Sequence, residues 1–290
     1  MMQSAPMTGR RRILVAALVV ILMIVGSAVV TVVTRNGELR AVPVYAEGTI
    51  LALPGGSASS ISVVGDNLEV VVGTSPTVTS ASIVLGSQGF RQDFRAKAGT
   101  YGLYFDSVPG VQAGVKRLTV MVPENGTLTL TLVGEARLVL DQARLKELRL
   151  AGASSALELD ATESGSIIDL VQIENVTGGF SATRLGNLDM ADLVIGNIVG
   201  RYDLDFSGSL SRHCDVSLHT AVGNGTLRIP GKPGAQLSIG SVLGKVLSSG
   251  FVAEGSKSFL NASAASGADR RLVVHVDNTI GQIQLVEVQQ

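Results

Sequence analysis

A repeated triplet of an apolar, a polar and an apolar residue recurs between residues 148 and 239. Its eight instances begin at Leu148, Leu157, Ile168, Leu188, Leu204, Val216, Leu227 and Leu237, at intervals of 9 to 20 residues. Alternate side chains of a strand point to opposite faces, so each triplet places two apolar side chains on one face and one polar side chain on the other. A single short strand cannot bury an apolar face alone. The repeat therefore predicts short strands that stack as successive coils.

We therefore predict an all-β protein whose main domain is a single-stranded β-solenoid of the right-handed β-helix-like kind. A flattened β-sandwich is the closely related alternative. The same extended pattern begins near Gly48, where β-branched runs are separated by Gly, Pro, Asn and Ser. Residues 86–113 interrupt it. We expect an N-terminal β region and cap over 48–113 and the solenoid domain over 114–290.

The N-terminal residues predict a membrane segment. Residues 13–34 form a stretch of 22 residues without charge, preceded by Arg10, Arg11 and Arg12 and followed by Arg35. At about 1.5 Å per residue a helix of this length spans about 33 Å, enough to cross a hydrocarbon core of about 30 Å. The segment is longer than the apolar region of a cleaved signal peptide, which favours a retained signal-anchor. Cleavage after residues 44–46 and twin-arginine export are the alternatives.

The charges that flank this segment predict its orientation. The three arginines and the amino terminus outweigh Arg35 and Arg40, so the positive-inside rule keeps residues 1–12 in the cytoplasm as a short tail. Residues 35–47 are then a linker. The predicted location is the cell membrane, crossed once, with the C-terminal domain extracytoplasmic.

Composition narrows the function classes. The net charge is −1, aromatic residues make up 4% of the chain and tryptophan is absent. No basic stripe with interleaved aromatics suggests a nucleic-acid partner. The single cysteine, Cys214, excludes an internal disulfide framework and any multi-cysteine metal site. Its spacing to Val216 and Leu218 predicts a buried core thiol.

A family resemblance rests on three stretches of sequence. They are Val-Met-Val-Pro at 120–123 leading to Leu-Thr-Leu at 128–130, Leu-Arg-Ile-Pro at 227–230, and the closing residues 274–285. These resemble the coil pattern of the families called "putative adhesin" and "toast-rack", over about residues 115–288. The resemblance implies a membrane-associated extracytoplasmic β-solenoid. It supplies no catalytic residue, and the single N-terminal anchor differs from relatives that carry several membrane helices.

Two clusters of residues are candidate metal ligands. His213, Asp215 and His219 share the polar face of a predicted strand, but the two histidines are about 20 Å apart at about 3.3 Å per residue. One ion cannot bridge them. Outward aspartates on successive coils could hold calcium or be offset by Arg201 or Arg228; they are Asp169, Asp189, Asp205 and Asp215. A solvated polar face is the simpler interpretation, and we predict no catalytic residue, no metal and no cofactor.

Two sets of residues are candidates for modification or binding. Four glycosylation sequons occur, at Asn125, Asn175, Asn224 and Asn261. An aromatic and basic segment predicts either a cap over the end of the solenoid or a binding patch for a protein or glycan. Its candidate residues are Phe90, Arg91, Phe94, Arg95, Tyr101 and Tyr104.

The predicted function is that of a non-enzymatic adhesion, scaffold or binding module at the cell envelope. Its partners would be the membrane and an envelope protein or glycan. The alternative is an extracytoplasmic sensor or regulator of an envelope-stress system, which would need a membrane partner because the cytoplasmic tail is short. A polysaccharide-acting enzyme ranks last, since no set of converging carboxylates with sugar-stacking aromatics is evident.

Overall fold

The computed structural model describes residues 28–35, 38–53, 58–95, 100–105, 114–152, 156–163, 165–240, 242–277 and 279–289. These residues form an all-β protein, as predicted. In chain order the strands are β1 (Ala28–Arg35), β2 (Glu38–Tyr45), β3 (Ile50–Ala52), β4 (Ala58–Val64), β5 (Leu68–Ser75), β6 (Ser82–Leu85), β7 (Phe90–Arg95), β8 (Thr100–Phe105), β9 (Lys116–Pro123), β10 (Gly126–Val133), β11 (Glu135–Leu140), β12 (Arg144–Ala151), β13 (Ala156–Asp160), β14 (Ile167–Glu174), β15 (Thr177–Thr183), β16 (Asp189–Asp205), β17 (Cys214–Pro230), β18 (Gly234–Ile239), β19 (Val242–Ser249), β20 (Val252–Ala253), β21 (Ser258–Leu260), β22 (Arg270–Asp277) and β23 (Thr279–Val288). A 3-10 helix spans Leu185–Asn187, and a four-residue helix, α1, spans Ala262–Ala265.

Most strands pair in parallel with a strand from the next turn of the chain. Partners are typically 22 or 23 residues apart, as for Leu148 with Val171 and Ile173 with Ile195. Two rows of strands result. The first row runs in space as β8, β4, β10, β12, β14, β16, β17, β22 and β18. The second row runs as β9, β5, β11, β13, β15, β16, β17, β23 and β19. This is the pairing expected of stacked coils.

The long strands β16 and β17 each contribute to both rows, and a glycine lets them turn from one row to the other. Gly200 and Gly223 have φ values of 137° and 138°, which L-residues rarely adopt. A Cβ on Gly223 would lie 1.8 Å from the carbonyl oxygen of Gly200. Only glycine fits at this corner, because the backbones of adjacent coils approach too closely for a side chain.

Both rows share a single hydrophobic core. The apolar residues of seven of the eight sequence triplets are all buried, for example Leu204 and Phe206 at 0% exposure. The exception is the triplet that begins at Ile168. Ile168 and Val171 are buried whereas Leu170 is only half-buried. The neighbouring strands repeat this two-residue step, with Leu145 and Leu148 buried around Glu147, so the sheet keeps its register through an aligned irregularity.

The order of the coils in space differs from their order in the chain at both ends of the stack. The coil of β4 and β5 lies inside the coil of β8 and β9 that follows it in sequence. Likewise, the coil of β22 and β23 lies between β17 and the earlier coil of β18 and β19. We refer to these as the β8–β9 end and the β18–β19 end of the stack.

Antiparallel strands continue the rows at these ends. At the β8–β9 end, β7 pairs with β8 and β2 pairs with β7 in the first row, while β6 pairs with β9 and β3 pairs with β6 in the second. At the β18–β19 end, β21 pairs with β18 and β20 pairs with β21. Strands on both sides of the predicted boundary near Gly114 pair directly, as β5 does with β9 and β11.

Most of the predicted membrane segment lies outside the residues that the structure describes. Residues 1–12 and 13–27 lie outside the described residues, whereas residues 28–34 belong to β1, which pairs antiparallel with β2 over residues 38–45. In this part the structure differs from the predicted helix, because the run of valine and threonine from Val29 to Thr34 has β-branched side chains that favour a strand. Within the described ranges, no helix has the length and apolar character needed to cross a membrane.

Candidate binding surface

The outer side of the second row has a trough that follows β15. The side chains of β15 that point away from the core are all small, namely Thr177, Gly179, Ser181 and Thr183, whereas Phe180 and Ala182 point inward and are buried. Charged side chains of the two neighbouring strands lie beside part of this run, namely Glu158 and Asp160 of β13 and Arg201 and Asp203 of β16. Strand β13 pairs with residues 179–183 of β15 only, so the trough has two walls over four residue steps, or about 13 Å at about 3.3 Å each.

Register places a carboxylate on each side of Ser181. Glu158 of β13 and Asp203 of β16 are its Cα partners in the two adjacent strands. Since neighbouring strands are about 4.8 Å apart, these two residues are separated by about 10 Å across the trough. At this level a groove of about 420 Å³ crosses the second row, and its lining includes Glu69, Arg137, Glu158, Ser181, Arg201 and Asp203.

An ion-pair network holds one wall of the trough. Arg117 donates to Glu69 at 2.5 Å, and Arg137 lies 3.7 Å from both Glu69 and Glu158 while also pairing with Asp160. The hydrogen bond to Asp160 raises the pKa of Arg137. Burial opposes ionisation of Asp160, but hydrogen bonds from Thr162 and Arg137 outweigh burial and lower the pKa of this carboxyl group. The wall is therefore charged at neutral pH and restrained in position.

The opposite wall contains one uncompensated cation. Arg228 pairs with Asp203, with an Nη2 to Oδ2 distance of 2.9 Å. Arg201 is exposed and makes no ion pair within 4.0 Å with any residue in the described ranges. The trough thus offers hydrogen-bond donors and acceptors with one free guanidinium, on strands rather than on loops. Such a surface suits a polar, extended ligand.

Two of the six residues of the predicted aromatic binding patch are buried. Phe90 is 0% exposed and Tyr101 is 7% exposed, both within the hydrophobic core, and the Tyr101 hydroxyl donates to the Ala52 carbonyl at 3.4 Å. Tyr104 is half-buried. The side chains of Arg91, Phe94 and Arg95 lie outside the part of the chain that the structure describes. Phe90 and Tyr101 cannot contact a partner, because their rings fill the core beneath β7 and β8.

The four predicted glycosylation sites fall into two groups. Asn125, Asn175 and Asn224 are exposed, and glycosylation at these sites remains a prediction. Asn261 is 0% exposed. Its amide nitrogen donates to the carbonyl oxygens of Pro230 and Pro233 at 2.8 and 2.9 Å, and its Oδ1 accepts from the backbone N–H groups of Ala235 and Ala264. A glycan on Asn261 is incompatible with this fold, because the amide is the N-cap of α1 and is surrounded by protein.

Two of the four outward aspartates, Asp169 and Asp189, pair with an arginine that sequence reasoning did not single out. Arg212 lies 3.2 Å from Asp169 and 2.8 Å from Asp189, and it donates to the backbone carbonyls of Ile168 and Asp189. His213 lies 3.3 Å from Asp215 and does not join His219 in a cluster. Among the residues that the structure describes, no group of three or more His, Cys, Asp or Glu side chains could hold a metal ion.

Two buried polar groups carry no evident chemistry. Cys214 is buried as predicted, and burial raises the pKa of its thiol to about 12, so it is protonated at neutral pH. Burial also raises the pKa of Tyr202 to about 12. The Tyr202 ring occupies the space opposite Gly225, where a Cβ would lie 1.8 Å from the ring. Both residues are part of the core.

The trough and the core define the class of this chain as an all-β protein with a groove on its outer surface that charged side chains flank. No protein-family model matches the chain, and no curated protein gives a significant match. The chain is similar to a solved structure described as a "putative cell adhesion protein" from Clostridium sporogenes, at 13% identity and a TM-score of 0.37. That likeness covers 83% of this chain and 97% of the other.

Proposed function

We propose that this chain is a non-enzymatic binding module of the cell envelope, with the β15 trough as its ligand surface. The observation that carries the proposal is the run of small outward side chains on β15 between two charged walls. Restrained charges and a free Arg201 suit an extended polar partner, such as a glycan strand or an envelope protein segment. The β-solenoid supplies a rigid base for such a surface.

The proposal includes attachment to the membrane, which rests on the sequence. The stretch of residues 13–34 has the length and apolar character of a single-pass anchor. A complete helix of this length requires residues 28–34 to leave β1. The coils would then stand outside the membrane, with the trough open to envelope components.

Site-specific crosslinking in the native membrane tests the trough directly. A photoreactive amino acid at Ser181 would be compared with the same amino acid at Ser217, a half-buried serine that points outward from the first row. We expect a crosslinked product at Ser181 and little or none at Ser217. Sensitivity of the product to glycan hydrolases or to proteases would then identify the class of partner.

Two results would count against this function. Absence of a product at Ser181, or equal products at both positions, would show that the trough is not a ligand surface. A product that proves to be an integral membrane regulator would instead favour the role of sensor or regulator in an envelope-stress system.

A further inference from the structure

At strand β19 the second row of parallel strands ends without an antiparallel strand beyond it among the described residues. Antiparallel strands continue both rows at the β8–β9 end and the first row at the β18–β19 end. No strand in the described ranges pairs with the outer edge of β19, whose other edge pairs with β23 along its whole length. The backbone N–H and C=O groups along this edge can therefore accept an added strand.

A ladder of exposed aliphatic side chains leads to this edge. Its members occupy the same position on four successive coils, where Val199 pairs with Val222, Val222 with Ile280, and Ile280 with Leu243. Their exposed fractions are 51%, 40%, 50% and 71% in that order. The ladder ends at Leu243 on β19, which has an aliphatic neighbour on one side only. An aliphatic residue on an added strand would extend the ladder and cover Leu243.

The glycine that follows each residue of this ladder restricts which residue an added strand can carry at that position. Gly200, Gly223, Gly281 and Gly244 follow the aliphatic residues on these coils, each with positive φ. A Cβ on Gly244 would lie 1.8 Å from the carbonyl oxygen of Gly281, and the same relation holds at each earlier step. A strand that continues this corner in parallel on β19 therefore needs glycine opposite Gly244.

The charge of Lys245 sets a preference at the position after Gly244, and it disfavours a two-fold pairing of β19 with the β19 strand of a second copy. Lys245 is exposed and has no ion pair with any described residue. A two-fold antiparallel pairing of β19 that matched Leu243 with Leu247 would place two Lys245 ammonium groups opposite each other, which is unfavourable. An acidic residue on the added strand would instead meet Lys245 with opposite charge.

We propose that the outer edge of β19 binds an extended segment of another protein as a parallel strand, in which an aliphatic residue, a glycine and an acidic residue lie opposite Leu243, Gly244 and Lys245. Main-chain hydrogen bonds would supply affinity, and these three positions would supply selectivity. This surface lies apart from the β15 trough, so the inference does not depend on the ligand proposed there.

A short peptide provides the test, with the full chain in detergent as the receptor. The peptide has the sequence of residues 279–286 with Gln282→Glu, Ile283→Thr and Leu285→Thr. Residues 280–282 supply the aliphatic, glycine and acidic positions. The two threonine changes prevent the peptide from replacing β23, because Ile283 and Leu285 are 0% exposed in the native coil. Binding is measured by fluorescence anisotropy of the labelled peptide.

We expect Lys245→Glu to weaken binding of this peptide by about threefold to tenfold, as for an exposed charge pair that is reversed. A second peptide with lysine in place of the glutamate should bind Lys245→Glu better than the unchanged chain. Lys146→Glu, on an exposed site of β12, is the matched control and should leave binding unchanged.

Three outcomes would overturn the proposal. The first is no binding of the acidic peptide to the unchanged chain at concentrations where the chain is folded. The second is binding that does not respond to charge at Lys245. The third is a dimer, seen by sedimentation velocity, that blocks the peptide, since it would assign the edge to a second copy of the chain.

Discussion

The two ends of the coil stack are closed differently. At the β8–β9 end both rows continue into antiparallel strands, and residues such as Phe90 and Leu103 are 0% exposed. At the β18–β19 end the first row continues into β21 and is covered by α1, but the second row stops at β19, where the inward side chain of Val246 is only half-buried. The comparison teaches that a stack of parallel coils is closed row by row. A stable core does not require all of its edges to be covered.

Truncation of one inward aliphatic side chain at each end should give the largest contrast. Leu103→Ala should lower the free energy of unfolding by about 2–5 kcal/mol, because it leaves a cavity in the covered end. Val246→Ala should lower it by less than about 1 kcal/mol, because this inward side chain is already partly in water. Urea unfolding followed by circular dichroism measures both. Equal losses for the two variants would show that the ends are not closed in the way described.

Removal of the Asn261 side chain should have the next largest effect. Asn261→Ala leaves the carbonyl oxygens of Pro230 and Pro233 and the N–H groups of Ala235 and Ala264 without their partner. We expect a loss of about 1–3 kcal/mol in unfolding free energy. Asn224→Ala is the matched control, since this exposed side chain accepts only from the Gln282 N–H.

Hydrogen exchange of the Asn261→Ala variant shows whether the loss of stability is confined to one end of the stack. Hydrogen exchange should increase in β18 and β21 for Asn261→Ala and remain unchanged in β7 and β8. A uniform increase along the whole stack would mean that Asn261 stabilises the fold globally rather than closing one end.

We expect the smallest effect on stability when the pH is lowered, because this weakens only ion pairs in the middle of the stack, such as that of Asp160 with Arg137. The pKa of Asp160 is lower in the folded chain than in the unfolded chain, so its contribution to stability is full above the unfolded pKa. That contribution is lost as pH falls through the folded pKa, below about pH 4. Asp160→Asn should therefore unfold with a weaker pH dependence in this range. An unchanged pH dependence in chemical denaturation between about pH 4 and pH 2 would contradict this assignment.

Periodicity in the sequence predicts the core well, because burial in a strand depends on local alternation. Leu148, Leu150, Leu237 and Ile239 all point inward as their triplets predict. The aligned irregularity at Leu170 was not predictable, since the triplet shows the same alternation there. Membrane attachment remains a prediction, and residues 28–34 are extended rather than helical.

The candidate surfaces were harder to predict than the core. The β15 trough was not predicted, because the small outward residues of β15 gain a role only from the charged strands that register places beside them. One signal was available in advance. A glycine preceded by an aliphatic residue or threonine recurs at Gly178, Gly200, Gly223, Gly244 and Gly281, which marks the corner shared by five coils.

The exchanged order of the coils has a consequence for how the chain reaches its native state. During synthesis β18 and β19 emerge before β22 and β23, yet their native neighbours are those later strands. The coils therefore cannot settle one after another as they emerge. Until residues 270–288 are made, the edge of β17 that faces β22 and β23 has no native partner. Assembly of this end therefore requires β22 and β23 to insert between β17 and the earlier strands β18 and β19.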